Sequence, residues 1–320
     1  MKQINLIRET GNGTYLDCYD EFQDALKSIK QFDKIEIIYS RRKMLNRVLL
    51  KIMFRFPLLK RMVNVKARSI SLSLLMGGGF ETLIPEILRH ENNYIYMFDA
   101  WPRFHQQIDH EAKVLNVKSI FFSSKQITNL FKLRHSVINA YWVPEGINLT
   151  DYMPGEIADK TIDVLEFGRK YQEYHLKIRD GLKLNGYNHF YEKTAGDVIF
   201  KSRKDFVNAL ALAKICICVP SNISHPQRAE GISSLTLRYL QSMASKCLIV
   251  GVLADEMVDL FDYNPVVSIE MDRAGEQILE ILRNYHTYLP LIERNYLEVS
   301  NKHTWDCRFQ MMTDIIQNEH

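Results

Sequence analysis

Apolar positions along this 320-residue chain switch repeatedly between short continuous runs and helical spacing, the mark of strands alternating with helices. INLI at 4–7 leads into RETGNGT; YDEFQDALKSIKQF then carries apolar residues at helical spacing, and KIEIIY at 34–39 alternates. The predicted order is strand, glycine loop, helix, strand. Farther on, NNYIYMFDAWP predicts a strand ending near Asp99, QQIDHEAKVLNV a helix, SIFFSS a strand, KQITNLFKLR a helix and VINAYWVP a strand. After PEGINLTDYMPGEI the alternation restarts with the strand of TIDVLEFGRK. It continues through ICICVP and CLIVGV with helices between them, and closes on PVVSI and the helices of 272–318.

This alternation predicts an α/β protein of two doubly wound, Rossmann-like domains with mostly parallel strands, facing each other across a cleft. Pro144, Pro154 and Gly155 mark the linker, so the expected domains are 1–150 and 151–302, followed by a terminal helix over 303–320. In open sheets of this class, ligands gather outside the carboxyl ends of strands, where helix starts present unpaired N–H groups.

Two such loops in the second half carry candidate chemistry. In RAEGISSLTLRYLQSMASKCLIVG at 228–251, Glu230 and Gly231 follow a strand. Ser233 or Ser234 is the expected N-cap of a helix through Thr236, Arg238 and Gln241. Glycine lets a ligand approach the backbone, the helix start attracts anions, and Arg238 supplies a positive partner for phosphate. In EFGRK, Gly168 ends a strand and Arg169 and Lys170 follow at once. Together the loops predict a two-sided clamp on a diphosphate; the plainer alternative is a capped amphipathic helix with Arg238 in a surface ion pair. No GxxxxGK[ST] and no complete GxGxxG after a strand occur, which argues against a P-loop nucleotidase and a dinucleotide oxidoreductase.

Composition narrows the setting. With 46% hydrophobic and 25% charged residues the chain is globular rather than disordered or fibrous. No run of eighteen apolar residues occurs, and the first thirty positions carry Glu9, Asp17 and Asp20, so a cytoplasmic location is expected. Five scattered cysteines fit a reducing compartment, with Cys216 and Cys218 packing inside a strand. The net charge of +3 is uneven: ten of the 41 bases lie between Arg41 and Phe80, where no acid occurs, leaving 31 bases against 38 acids elsewhere. Within that stretch Lys43, Arg47, Lys51 and Arg55 recur every four residues on a predicted helix stopped by Pro57, with Leu45, Val48, Leu49, Ile52 and Phe56 on its other faces. The segment 41–68 is the expected contact with an anionic membrane surface. A solvated helix packed on the core is the alternative, and nucleic acid is not expected, since the interleaved residues are aliphatic rather than stacking aromatics.

YWVPEGINLTDY, DVLEFGRK, VPS, EGISSLTLRYLQSMASKCLIVG and KHTWDCRFQMM, in that order, resemble the carboxyl-terminal half of a group 1 glycosyltransferase of the GT-B fold, in its family-4-like and CgeB-like branches. The resemblance covers about 140–312. It implies a nucleoside-diphosphate-sugar donor held by the second domain, a glycan, glycolipid or lipid-linked acceptor held by the first, and a last helix crossing back to the first domain. By position, Gly168, Arg169, Lys170 and Arg238 would contact the diphosphate, Gly231, Ser233, Ser234 and Thr236 would lie near the phosphates, and Glu230 near the sugar. Gln241 stands where a ribose-binding glutamate is usual, and its spacing from Glu230 is wider than that of the usual glutamate pair. MFDAWPRFHQQ resembles the cleft turn of the first domain, with Phe98 where histidine is common, Asp99 as the base for the acceptor hydroxyl and His105 in reserve on the acceptor side. The implied chemistry is hexosyl transfer without metal or cofactor, with retention favoured over inversion, in bacterial surface-glycan assembly at the inner face of the membrane. A non-catalytic binding or scaffold subunit of the same shape is the competing reading.

Overall fold

The computed structural model describes residues 3–9, 17–29, 32–40, 44–56, 66–135, 137–194 and 199–319. Arg41, Arg42, Lys43, Pro57, Lys60 and Arg61 of the basic segment lie outside the described residues, as do the side chains of Lys66 and Arg68. The chain divides into two compact units, Met1–Pro144 with Arg308–His320, and Glu145–Cys307.

The first unit runs β1 (Gln3–Glu9), α1 (Asp17–Ser28), β2 (Lys34–Ser40), α2 (Met44–Arg55), β3 (Lys66–Met76), β4 (His90–Phe98), α3 (His105–Val114), β5 (Val117–Phe122), α4 (Lys125–Arg134) and β6 (Asn139–Trp142). Its six strands are parallel, in the order β2-β1-β3-β4-β5-β6. β3 has no counterpart among the strands that periodicity predicts. It takes a central place, Leu72 pairing with Leu6 on one side and Tyr94 on the other. Its serines look like a solvent-facing row, yet Ser71 and Ser73 are fully buried, and the Ser71 hydroxyl donates to Asn93 Oδ1 at 2.6 Å. The Ser73 hydroxyl is buried without a partner among the described residues, so alternation here does not mark an exposed face.

The second unit runs β7 (Ile162–Leu165), α5 (Gln172–Leu184), β8 (His189–Phe190), α6 (Arg203–Ala211), β9 (Ala213–Cys218), α7 (Ser221–Ser224), α8 (Pro226–Ala229), α9 (Leu237–Ala244), β10 (Leu248–Gly251), α10 (Met257–Leu260), β11 (Val267–Ser268), α11 (Ala274–Arg283) and α12 (Leu289–Lys302). The strands are parallel in the order β11-β10-β9-β7-β8. Both faces are covered. Val164, Ile215 and Leu248 pack with Ile178 of α5 and Ile278 of α11; Leu165, Cys216 and Ile249 pack with Leu210 of α6 and Leu240 and Met243 of α9. Coverage on both faces explains why these strands read as continuous apolar runs. Gly251 is required by space: a Cβ there would lie 1.7 Å from the Cys218 carbonyl oxygen of the neighbouring strand.

The last helix, α13 (Trp305–Asn318), starts in the second unit, and from Arg308 onward its residues belong to the first, where Phe309 meets Phe22 edge to face at 4.9 Å. No helix among the described residues is long and apolar enough to cross a membrane.

Candidate functional site

In the second unit the strand order reverses direction between β7 and β9, because β8 lies on one side of β7 and β9 on the other. The two loops leaving the carboxyl ends of these strands therefore diverge and leave a crevice, the place where open α/β sheets take ligands. The loop after β7 is Glu166–Lys170, and the loop after β9 runs from Val219 to Thr236. The first carries Gly168, Arg169 and Lys170; the second carries Glu230, Gly231, Ser233 and Ser234 and leads into α9.

Arg238, in the first turn of α9, joins them. Its Nη1 donates to the Arg169 carbonyl at 2.8 Å and the Phe167 carbonyl at 3.3 Å. Gly168, between these acceptors, has φ of 66°, a left-handed backbone that glycine adopts freely. A Cβ there would make only ordinary contact with the Arg238 side chain, so conformation rather than space calls for glycine. His225, between α7 and α8, reports the local field: burial, together with the charges of Arg169, Arg228 and Arg238, pulls its pKa down to about 4. Three guanidinium groups from three segments thus act on one imidazole. Burial is the larger cause and disfavours either sign of charge; the three guanidinium groups are the part of the shift that makes the surroundings positive.

Lys170 is turned elsewhere. Its ammonium donates to the Glu192 carbonyl and lies 5.2 Å over the Tyr191 ring.

The helix start differs from the expected one. α9 begins at Leu237 with Thr236 as N-cap, not Ser233 or Ser234, and no side-chain cap bond forms. Both serine hydroxyls have partners in adjoining loops. Ser233 Oγ accepts from the Asp255 N–H at 3.1 Å, and Ser234 Oγ lies 2.9 Å from Ser221 Oγ. The buried Glu256 carboxylate takes the Leu235 N–H, and together these bonds hold the segment extended up to Thr236. Thr236 Oγ1 is buried without a partner. Glu230 is exposed at the end of α8 with φ of 51°, and Gly231 follows at φ of 82° with open space where a Cβ would be. Gln241 is turned into the unit's interior, its amide donating to the Tyr152 hydroxyl at 3.0 Å.

In the first unit Asp99 follows β4, half-buried, with φ of 48°. Asn116, Glu230 and Lys246 share positive φ, but each closes a helix, where that conformation is routine. Asp99 closes a strand, and strained backbone of this kind gathers at functional sites. Gly77, after β3, supports it: its N–H donates to the Phe98 carbonyl at 2.8 Å, and a Cβ there would come within 3.0 Å of the Asp99 carbonyl oxygen. His105 is buried in the first unit: it is 1% exposed, its Nε2 is bonded to the Ala100 carbonyl oxygen at 3.0 Å, its ring is packed on Phe131, and burial lowers its pKa.

α2 shows three stripes. Asn46, Leu50 and Met53 are buried, with the Asn46 amide donating to the Glu81 and Ile84 carbonyls at 3.0 and 2.7 Å. Arg47, Lys51 and Arg55 are exposed, Arg47 pairing with Glu81 at 3.0 Å. Met44, Leu45, Val48, Leu49, Ile52 and Phe56 are exposed as well, so the apolar residues that interleave with the bases face solvent and not the core.

Sequence reasoning does not single out His225, Arg228 or Glu256, because no period or motif marks them. It also passes over Glu166, His175 and His189, whose donor atoms lie within 4.8 Å of one another, close enough for a group of this kind to share an ion. What joins them is hydrogen bonding: His175 Nδ1 and His189 Nε2 approach the same oxygen, Glu166 Oε1, at 2.6 and 2.7 Å. That oxygen fills the space between the two rings.

No protein-family model and no curated protein matches the chain. Solved structures do. HepE of Anabaena in complex with UDP is 8% identical, covers 99% of this chain and 100% of its own, and superposes with a TM-score of 0.62. Sucrose-phosphate synthase from Thermosynechococcus elongatus is 10% identical over 99% of each chain, with a TM-score of 0.61. The UDP-forming α,α-trehalose-phosphate synthase from Burkholderia xenovorans is 10% identical over 98% of each chain, with a TM-score of 0.57. These are GT-B glycosyltransferases, and the likeness shows the fold: two parallel-sheet α/β domains of GT-B type.

Proposed function

We propose that this GT-B protein is a glycosyltransferase that moves a sugar from a nucleoside-diphosphate-sugar to a polysaccharide, glycolipid or lipid-linked acceptor in surface-glycan assembly. The observation that supports it most is the placing of Arg238 on the Phe167 and Arg169 carbonyls at the reversal between β7 and β9, where Arg169, Arg228 and Arg238 all act on His225. When the sugar leaves, negative charge grows on the diphosphate, and preset cations and N–H groups lower the barrier by meeting it. In this reading Arg169 and Arg238 meet that charge with Gly168, Gly231 and the start of α9. Lys170 and the hydroxyls of Ser233 and Ser234 hold the surrounding loops, and the buried Thr236 Oγ1 keeps its hydrogen-bonding capacity unspent beside the start of α9. Glu230 is assigned to the sugar, and Asp99 to the proton of the acceptor hydroxyl. Transfer without a metal, and retention ahead of inversion, are part of the proposal. HepE has been solved with UDP and with UDP-glucose, which makes uridine nucleotides the first donors to try.

We further propose that α2 attaches the protein peripherally to the inner face of the membrane, since exposed bases flanking an exposed apolar stripe suit an anionic interface. The inward turn of Gln241 favours the second reading, a binding subunit without turnover. Incubation of the purified protein with UDP-glucose, UDP-N-acetylglucosamine, GDP-mannose and dTDP-rhamnose separates the two. Release of nucleoside diphosphate supports the transferase, binding without release supports the subunit, and absence of binding to every donor contradicts both.

A further inference from the structure

Glu166 is 2% exposed, at the point where β7 gives way to the Gly168–Lys170 loop. An ionised carboxylate only accepts, so each imidazole must present an N–H to it: His175 through Nδ1 and His189 through Nε2, which fixes opposite tautomers. Burial alone would raise the Glu166 pKa, yet the two imidazole donors outweigh it and hold the carboxyl below its ordinary value. Glu166 Oε2 and His189 Nδ1 remain buried without a partner. The chain of interactions continues outward. The Tyr191 ring packs on His175 and His189 at 4.6 and 4.5 Å, and the Lys170 ammonium lies over Tyr191.

Apolar side chains of similar volume would stabilise this corner at least as well as a half-satisfied ionic cluster does. What the cluster adds is direction. It ties the first residue after β7 to α5 and β8, and through Tyr191 to Lys170, so both ends of the loop whose carbonyls receive Arg238 are held. We propose that Glu166, His175 and His189 form a positioning triad that presets the Gly168–Lys170 backbone for the diphosphate of the donor. The inference rests on the donor-site reading above.

Titration calorimetry of His189→Leu, His189→Gln and Glu166→Gln tests it, using UDP, GDP, ADP and dTDP, each against its own nucleoside. His189→Leu should weaken diphosphate binding about tenfold while leaving nucleoside binding unchanged, the scale of one hydrogen bond to a charged group. His189→Gln, which keeps a donor near the Nε2 position, should bind close to wild type. If His189→Leu does not fold, Glu166→Gln carries the same expectation of selective diphosphate loss. A folded His189→Leu or Glu166→Gln protein with wild-type diphosphate affinity overturns the proposal, as does equal weakening of diphosphate and nucleoside. Stoichiometric zinc in the purified protein, lost in His189→Leu, would also overturn it in favour of a metal centre. Arg238→Ala separates the layers. If it weakens the diphosphate and the triad variants do not, only the triad fails; if it does not, the donor site itself is misplaced.

Discussion

Exchanging Lys51 and Arg55 of α2 for glutamine should release the protein from anionic vesicles. Both side chains are exposed, whereas Arg47 is tied to the buried carboxylate of Glu81 and is best left in place. Each base close to an anionic surface contributes about 1 kcal/mol, so the pair accounts for about 2 kcal/mol, or roughly 30-fold in partition. The apolar stripe adds a part that salt does not screen. Leu45 is 63% exposed and Phe56 59%, so each has most of its surface left to bury, and Leu45→Ser with Phe56→Ser should remove a further ~2–4 kcal/mol. Sedimentation with phosphatidylglycerol vesicles, at low salt and near 1 M salt, measures both parts. The charge variant should lose binding at low salt only, because the Debye length shrinks to about 3 Å at 1 M. The serine variant should lose it in both conditions. Melting temperatures should stay near wild type, since none of the four side chains is buried. Unchanged partition of the charge variant, or equal binding to phosphatidylcholine vesicles, would refute the membrane role.

Asp99→Asn should cut donor-to-acceptor transfer by about 10²–10⁴-fold with nucleotide affinity unchanged, as expected of a lost general base; equal transfer rates would remove Asp99 from the mechanism. His225, with its pKa depressed to about 4, contributes stability above the unfolded value near 6.5 that is lost as pH falls from there toward 4, so His225→Gln should show a flatter Tm profile across that window. A bound diphosphate favours imidazolium, so UDP-glucose, which does not itself titrate there, should bind wild type more tightly at pH 5 than at pH 8, and His225→Gln should lose that difference. Gly251→Ala places a Cβ against the Cys218 carbonyl and should lower Tm by about 5–10 °C, the effect of ~2–3 kcal/mol in a domain of this size; no change would mean that the strand ends part easily. Glu166, with its carboxyl held below the ordinary range, supports stability that persists through mild acid and is lost as pH falls through the depressed value, a loss that should be shallower in Glu166→Gln.

Periodicity reads β7, β9 and β10 of the second unit because these strands are buried on both faces: ICIC and LIVG stand out against any helix pattern, whereas the two-residue β8 is too short to show a period and has no counterpart among the predicted strands. β3 escapes the same rule, since its buried serines break the apolar run and its start coincides with the basic stretch. The carboxyl-end argument points to EFGRK and EGISS, and the sheet order places both beside the reversal between β7 and β9. What the residues do there is less legible. The start of α9 depends on Ser221, Asp255 and Glu256, which lie far from Ser233 in sequence and compete for the hydroxyls and N–H groups of its loop. His105 stands one short helix turn after Trp101 in a polar-looking stretch, and only the packing of α3 on α4 shows it to be core. The Glu166 triad joins three elements at spacings that match no motif, so only the fold can bring it together.

Titration of UDP into wild type and Arg238→Ala tests the central claim most directly. The guanidinium at the start of α9 joins the Phe167 and Arg169 carbonyls of the loop after β7, and removing the charge-assisted hydrogen bond proposed for it with the diphosphate should cost ~1.5–3 kcal/mol. Binding to the wild type, with affinity reduced about 10- to 150-fold in the variant, is the predicted result. Equal affinities, with both proteins folded, would contradict the account.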